Sequence, residues 1–291
     1  MLYAQMKEPQ THGTPMFPIA WYEWHGGIAD VPMLNCHWHD QCEFFMIYNG
    51  MAYFTVDGVS NQINTGDLVF IPSGRMHMAE PVNDEPFYYR AVVFDAATLC
   101  ESVEIARVKY ITPMLEGKYH IKTIFSKDLD NGCTDAFDNL FITLFDTPPA
   151  YELISVGYLL KLLGYVFAAS GESPEPIPYV SNIQIIKKVI TYIEENFSET
   201  ITVDKLCGLA GMSRGHFTKM FRRFTSKSPI DYVISIRLRH AAMILCERDD
   251  KLINIAIDTG FNNLSYFIRS FSEAFGCSPT EYRKMYYRRS V

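Results

Sequence analysis

The sequence predicts an α+β protein of two domains, in which a small β-barrel precedes an all-α domain with two helix-turn-helix motifs. Residues 31–94 contain short apolar segments separated by turn residues, whereas the pattern becomes helical after about residue 101. Residues 1–181 carry a net charge of -13 and residues 182–291 one of +6, and an internal repeat displaced by 50 residues lies in the basic part. An acidic module is therefore joined to one suited to a polyanion.

Composition and cysteine usage are those of a cytoplasmic globular protein. Of the 291 residues, 48% are apolar and 20% are charged, which is enough apolar material for two ordinary cores. The seven cysteines are scattered and form no C-x-x-C pair, so we expect neither a disulfide framework nor a zinc ribbon. The N-terminus lacks the apolar core of a signal peptide, and no membrane partner is expected.

Turn residues and prolines divide the chain into four segments. "YFTV" and "VSNQIN" flank Asp57-Gly58, a dipeptide suited to a tight hairpin, and "DLVFIP" and "FYYRAVVF" follow as further strands. The stretch "SGESPEPIP" cannot continue a helix and predicts a linker. We therefore expect a barrel over 1–100, a helical connector over 101–169, a linker over 170–181 and an all-α domain over 182–291.

The longest apolar stretch begins at Tyr151 and reads "YELISVGYLLKLLGYVFAAS". Lys161 at its middle argues against a membrane span and favours a packed helix. One stripe at three- and four-residue steps contains Leu153, Val156, Leu160, Leu163 and Phe167. Because this stripe is wider than one barrel face needs, we expect the helix to hold a homodimer together.

The barrel segment contains a set of potential metal ligands in "HWHDQCE". His37 and His39 share one face of a strand, and a bend around Asp40-Gln41 would bring Glu43 beside them. The turn residues of "GDLVFIPSGRMH" bring His77 back to the same point. Three imidazoles and one carboxylate suit zinc, nickel, iron or manganese. The alternative stays open that these side chains are only a satisfied polar core.

These residues resemble the two cupin motifs. H-x-H-x3-E-x6-G is matched by His37, His39, Glu43 and Gly50, and G-x5-P-x-G-x2-H by Gly66, Pro72, Gly74 and His77. The glycine that the family has six residues before the first histidine is Val31 here. The resemblance implies a small antiparallel barrel with an internal pocket. We expect an effector pocket formed by the four ligands and Trp38, with core packing as the alternative role for that ring.

The basic part contains two copies of a helix-turn-helix plan, at about 202–224 and 252–275. In the first, Gly211-Met212-Ser213 ends one helix and caps the next, and in the second Gly260-Phe261-Asn262 does the same. Between them, the amphipathic segment "DYVISIRLRHAAMILCE" predicts a helix that holds two reading helices near the ~34 Å that separates successive turns of one groove face.

The second helix of each copy enters the major groove in this plan. Aromatic residues at helical spacing point inward and leave polar side chains outside. The side chains that we expect at the DNA are Ser213, Arg214, His216, Thr218, Lys219, Arg222 and Arg223 in the first copy, and Asn262, Asn263, Ser265, Tyr266 and Arg269 in the second. One basic helix alone is more often a solvated face, but two linked copies favour DNA contact.

Residues 183–286 resemble the AraC-type DNA-binding domain. The matching segments are "AGMSRGHFTKMFRRF", "SPIDYVISIRLRHAAMIL" and "IAIDTGFNNLSYFIRSFSEAFGCSPTEYRK". The resemblance implies a seven-helix bundle and a transcription regulator, usually dimeric, whose N-terminal domain senses a small molecule. RNA polymerase is a further partner in that role. Ser226 stands where the family usually has the glycine that Gly276 keeps in the second copy.

Three functions remain to be weighed. The duplicated helix-turn-helix favours a regulator that responds to a small molecule, for which a carbohydrate is one class. The complete ligand set would fit a metal-dependent cupin enzyme, an isomerase or dioxygenase, but a catalytic barrel has no need of a two-part DNA reader. A constitutive DNA-binding protein with a purely dimerising barrel is the third. The first is the prediction, and we expect no enzymatic activity.

Overall fold

The computed structural model describes residues 7–8, 12–24, 34–83, 85–101, 103–127, 132–172 and 179–287. Within them the chain forms two compact units, residues 7–180 and 181–291. Residues 173–178 of the predicted linker lie outside the described residues. At its borders, Gly171–Glu172 forms a short strand and a helix begins at Tyr179.

The first unit is built on two antiparallel sheets. In the part of the chain that the structure describes, its strands are β1 (Ile19–Trp24), β2 (Leu34–His37), β3 (Cys42–Asn49), β4 (Met51–Val56), β5 (Val59–Asn64), β6 (Leu68–Ile71), β7 (His77–Pro81), β8 (Tyr88–Phe94), β9 (Tyr119–His120), β10 (Ile124–Phe125) and β11 (Gly171–Glu172). One sheet has the order β1-β8-β3-β6-β10, the other the order β2-β7-β4-β5, and β9 pairs with β11. The predicted antiparallel barrel architecture is confirmed.

Turn chemistry sets the hairpin between β4 and β5. Asp57 and Gly58 both have positive φ, at 50° and 77°, which suits the tight two-residue turn predicted from the dipeptide. The Asp57 carboxylate is buried, accepts a hydrogen bond from the backbone N–H of Met76 at 2.9 Å and pairs with Arg75 at 2.9 Å. These contacts fix the segment that leads into β7 and so place His77.

Strand β3 is buried on both faces, because successive side chains along it enter two different cores. Phe44 and Met46 belong to a core shared with the helices of this unit, whereas Phe45 and Ile47 belong to the core between the two sheets. Side chains alternate along a strand, so Glu43 has the parity of Phe45 and Ile47 and faces the space between the sheets. A buried carboxylate among apolar neighbours needs a cationic partner.

A helical layer covers the outer face of the larger sheet. It contains α1 (Ala96–Leu99), α2 (Glu104–Ala106), a π-helical turn (Arg107–Ile111), α3 (Thr112–Leu115), α4 (Cys133–Asp146) and α5 (Tyr151–Ala168). Helix α5 packs with α4 through Ser155, Leu159, Leu162, Leu163 and Val166. Of the predicted stripe, Leu163 is buried, Leu160 is half-buried and Leu153 is 78% exposed, so only part of it faces the core of this unit. The length and composition of α5 would suit a membrane span, and 28% of this helix is buried.

The second unit is all-α, as predicted. Its described residues form seven helices, α6 (Tyr179–Glu195), α7 (Val203–Ala210), α8 (Arg214–Thr225), α9 (Pro229–Glu247), α10 (Leu252–Asp258), α11 (Leu264–Phe275) and α12 (Pro279–Tyr286). Pairs α7–α8 and α10–α11 are the two helix-turn-helix units, and α9 joins them. At 1.5 Å per residue, its 19 residues span about 28 Å.

Equivalent aromatic residues hold each helix-turn-helix unit together. Phe217 and Phe221 are fully buried in the first copy, and Phe267 and Phe271 in the second. On α9, Leu238, Ala241, Ala242 and Leu245 pack into the second copy's core. Gly260 has φ +85°, and a Cβ there would lie 2.8 Å from the Ser198 carbonyl oxygen, so this turn requires glycine. Both reading helices are therefore fixed to one scaffold.

Candidate metal centre and nucleic-acid interface

Four side chains meet between the two sheets. His37 and His77 are cross-strand partners on β2 and β7, Glu43 projects from β3, and His39 lies in the bend before β3. One nitrogen or oxygen from each of the four lies within 4.8 Å of the others. Backbone contacts from the facing loop hold the bend, because Gly74 N–H donates to the His39 carbonyl at 2.8 Å and the Ser73 hydroxyl to the Asp40 carbonyl at 2.6 Å.

Each histidine of the cluster is oriented by a backbone carbonyl. The Nδ1 atoms of His37, His39 and His77 lie 2.8, 3.0 and 3.0 Å from the carbonyl oxygens of Asn35, Gln41 and Arg75, respectively. A carbonyl oxygen only accepts hydrogen bonds, so each Nδ1 carries the proton. In the neutral rings, all three lone pairs are then on Nε2. Fixing the second nitrogen in this way is typical of metal-ligating histidines.

The Nε2 atoms of His39 and His77 lie at hydrogen-bonding distance from the Glu43 carboxylate. Oε2 of Glu43 lies 3.0 Å from Nε2 of His39 and 3.2 Å from Nε2 of His77. As whole residues, Glu43, His39 and His77 are each at most 4% exposed. Since lone pairs would face lone pairs, a cation must stabilise the cluster, either as protons on two imidazoles or as one metal ion. Three nitrogens and one carboxylate oxygen suit a divalent transition metal, so the residues fit the ion.

Burial and neighbouring charges shift the pKa values of Glu43 and His37. Burial alone would raise the pKa of Glu43, but the hydrogen bonds and charges of His39 and His77 lower it far below its ordinary value. Burial, with the charge of His77, lowers the pKa of His37 to about 3. Glu43 is therefore ionised and His37 neutral near pH 7, which are the protonation states that a metal ion requires.

A second acidic group lies at the rim of the cluster and was not foreseen from the sequence. Oε2 of Glu8 lies 3.9 Å from Nε2 of His37 and 3.3 Å from Nε2 of His12. His12 is buried, and its Nδ1 lies 2.8 Å from the Tyr22 hydroxyl. No local pattern marks Glu8 or His12, because the segment reaches the barrel only through tertiary contacts.

Trp38 lies between two ligands in the sequence and is 4% exposed. Its backbone carbonyl accepts a hydrogen bond from the N–H of Glu8 at 2.9 Å. The predicted place of the Trp38 ring in the effector pocket remains a prediction, and core packing agrees better with its burial.

In the first helix-turn-helix unit, α8 buries its aromatic stripe and exposes its basic face. The predicted contacts Arg214, His216, Lys219, Arg222 and Arg223 are exposed, and Thr218 is half-buried. Ser213 is the N-cap residue, but its side chain makes no capping hydrogen bond, contrary to the prediction. Its hydroxyl thus remains at the exposed end of the helix, where backbone N–H groups favour anions such as phosphate.

In the second unit, α11 begins one residue later than the sequence indicated. The cap is Asn263, whose Oδ1 accepts a hydrogen bond from the backbone N–H of Tyr266 at 2.8 Å, and not Asn262. The extra residue after this turn shifts the register, so the analogy with Ser213 was wrong by one position. Asn262, Asn263, Ser265, Tyr266 and Arg269 are all exposed. The structure thus leaves all five available on this surface.

A barrel with an internal polar cluster, joined to a two-part helix-turn-helix domain, defines a ligand-responsive DNA-binding regulator as the class of protein. Two family models match the chain: the AraC-like ligand binding domain over residues 28–163 and a helix-turn-helix domain over residues 206–285. The chain belongs to the AraC family of transcription regulators.

Proteins named as transcription regulators are similar to this chain over most of its length. The uncharacterized HTH-type transcriptional regulator YdeC of Bacillus subtilis is 25% identical over 96% of this chain and 96% of its own length. The raffinose operon regulatory protein RafR of Pediococcus pentosaceus is 23% identical over 76% of each chain. The melibiose operon regulatory protein of Escherichia coli is 24% identical over 87% of this chain and 84% of its own length.

Proposed function

We propose that this regulator binds duplex DNA through α8 and α11 and changes its activity when a small molecule enters the barrel. The observation that carries the proposal is the pair of exposed polar helices, each following a turn, fixed to one helix of about 28 Å. That length is compatible with reading successive turns of one groove face. The positive charge of residues 182–291 supplies affinity for phosphates.

A carbohydrate is the effector class that we propose. Regulators of raffinose and melibiose operons are among the full-length relatives, and the cluster between the sheets offers the polar groups that hydroxyls require. An effector that binds only the folded state raises the melting temperature, by an amount that grows with its concentration. A thermal-shift screen of neutral oligosaccharides against carboxylic acids and amines tests this class. Stabilisation by the acids alone would contradict it.

We further propose that His37, His39, Glu43 and His77 bind one divalent transition ion. Such an ion would replace the protons that otherwise balance Glu43, and it would offer water or an effector hydroxyl a place to bind. Cytoplasmic location, a homodimer and contact with RNA polymerase belong to the same proposal. Catalysis is not part of it.

Elemental analysis of gently purified protein tests the ion, with close to one zinc, nickel, iron or manganese ion per chain expected. His37→Ala and His77→Ala should each lower the content strongly, because each removes one nitrogen of the donor set. His120→Ala is the matched control, since His120 is exposed and lies outside the cluster. Equal metal content in all four proteins would show that any ion is bound elsewhere.

A further inference from the structure

Glu8 is a charged group beside the cluster that belongs neither to the cupin motifs nor to the four proposed ligands of the ion. Its side chain is 11% exposed, and its Oε2 lies 3.9 Å from Nε2 of His37, the atom that faces the other ligands. Glu8 does not belong to the set of four whose ligand atoms lie within 4.8 Å of one another. It therefore lies at the rim, beside the donors.

The position of Glu8 is set by contacts on both sides. Its backbone N–H donates to the Trp38 carbonyl at 2.9 Å, and Lys7 forms a parallel bridge with Trp38. On the side-chain end, His12 Nε2 lies 3.3 Å from Oε2, and the His12 ring is 5.3 Å from the ring of His39. His12 in turn contacts the Tyr22 hydroxyl at 2.8 Å. Glu8 is thus held against the cluster by Trp38 through its backbone and by His12 through its side chain.

Charge balance gives this carboxylate a role. Three neutral imidazoles and the Glu43 carboxylate around a divalent ion leave a net positive charge of about one in a closed interior, where uncompensated charge is unfavourable. Glu8 supplies the missing negative charge at the open side. We propose that Glu8 is a second carboxylate of the ion centre, and that the bound ion holds the segment containing Lys7 and Glu8 against the barrel. This inference rests on the proposed ion site.

The direct test is the affinity of the full-length protein for zinc or nickel, measured by competition with a chromophoric chelator. Glu8→Gln keeps the shape of the side chain but removes its charge, and should weaken affinity about 10–100-fold, as loss of a partner beside metal ligands commonly does. Lys7→Gln is the matched control on the same segment, because its ion pair with Asp40 at 2.8 Å is exposed on both sides. This control should bind the ion as the wild type does.

A second measurement follows the docking of the segment itself, in the wild type and in Glu8→Gln. If docking of the segment strengthens ion binding, the ion must strengthen docking by the same factor. Hydrogen exchange at the peptide containing Glu8, whose amide bonds to Trp38, should therefore slow when zinc is added to wild-type protein, and this effect should vanish in Glu8→Gln.

The outcomes separate the two proposals. If wild-type protein binds no divalent ion, the ion site and the role of Glu8 are both wrong. If wild type and Glu8→Gln bind equally tightly, or zinc leaves exchange at this peptide unchanged, only the role of Glu8 is wrong. DNA affinity measured in parallel should stay constant across these variants, because they lie outside α8 and α11. Its retention shows that the second unit stays folded in these variants.

Discussion

Ser226 and Gly276 end equivalent helices of the two repeats in the same left-handed conformation, with φ of 56° and 69°. A residue with a Cβ is strained there by about 1 kcal/mol, whereas glycine is not. We expect Ser226→Gly to stabilise the domain by about that amount and Gly276→Ser to destabilise it similarly. Chemical denaturation at pH 7 measures both.

The Gly276→Ser variant tests backbone strain without a steric effect. Nothing lies within 4 Å of a Cβ built on Gly276, so a serine there would meet no steric obstacle. Changes of the same sign in both variants would show that another interaction of the hydroxyl decides stability. We therefore expect the departure of Ser226 from the AraC pattern to lower stability locally.

At the level of single residues, the sequence predicted the centre of the cluster but not its surroundings. His37, His39, Glu43 and His77 could be found because their spacing reflects strand alternation and one bend. Glu8 could not, since its contacts depend on where a distant segment docks. The N-cap of α11 was predicted one position too early, because one extra residue after the second turn moves the cap to Asn263.

Helix α8 should contribute more phosphate affinity than α11, because Arg222 and Arg223 are exposed on it and their counterparts are Ser272 and Glu273. Replacing both arginines by alanine should reduce the slope of log affinity against log salt by about 0.9 for each phosphate that is no longer neutralised. Fluorescence anisotropy with duplex DNA at several salt concentrations measures the slope.

The control for this pair removes the same charge elsewhere in the domain. Arg248 and Lys284 are exposed and lie outside α8 and α11. Their double alanine variant should keep the wild-type slope. A decrease of equal size in both variants would mean that the net charge of the domain, and not the binding of phosphates by α8, governs the salt dependence.

Among the elements, the helices of the second unit were predicted well and α5 less well. Each reading helix has one apolar stripe with polar residues opposite, so its buried face follows from spacing alone. Helix α5 is apolar nearly all round, and its buried face is decided by the position of α4. Periodicity thus identified the helix but selected Leu153 where the core uses Leu159 and Leu162.

The exposed face of α5 is the surface that we propose joins two copies of the chain. Leu153, Gly157, Leu160, Gly164 and Ala168 follow one another along it at helical spacing. Two glycines let a second helix approach closely, although each costs about 1 kcal/mol within a helix relative to alanine. Leu163 belongs to the stripe predicted from the sequence, but it is buried in the protomer, and a polar residue there would disrupt folding.

Replacing Gly157 and Gly164 by glutamine should therefore produce monomers without harming the protomer, because a Cβ at either position meets nothing within 4 Å. Sedimentation velocity measures the oligomeric state. Gly208→Gln is the control, since it lies on α7 with equally open surroundings and should leave the dimer intact. A dimer that survives both glutamines would place the interface on another surface.

Backbone carbonyl oxygens orient His37, His39 and His77, and this also affects how the cluster can change during evolution. Every residue has a carbonyl, so substitutions at Asn35, Gln41 or Arg75 do not delete the groups that orient the rings. Substitutions at these three positions therefore leave the orientation of the rings intact, whereas replacement of a ligand itself would abolish the proposed ion binding. Once one ligand is replaced, ion binding no longer selects for the other three. Related proteins should therefore have all four ligands or have lost them together.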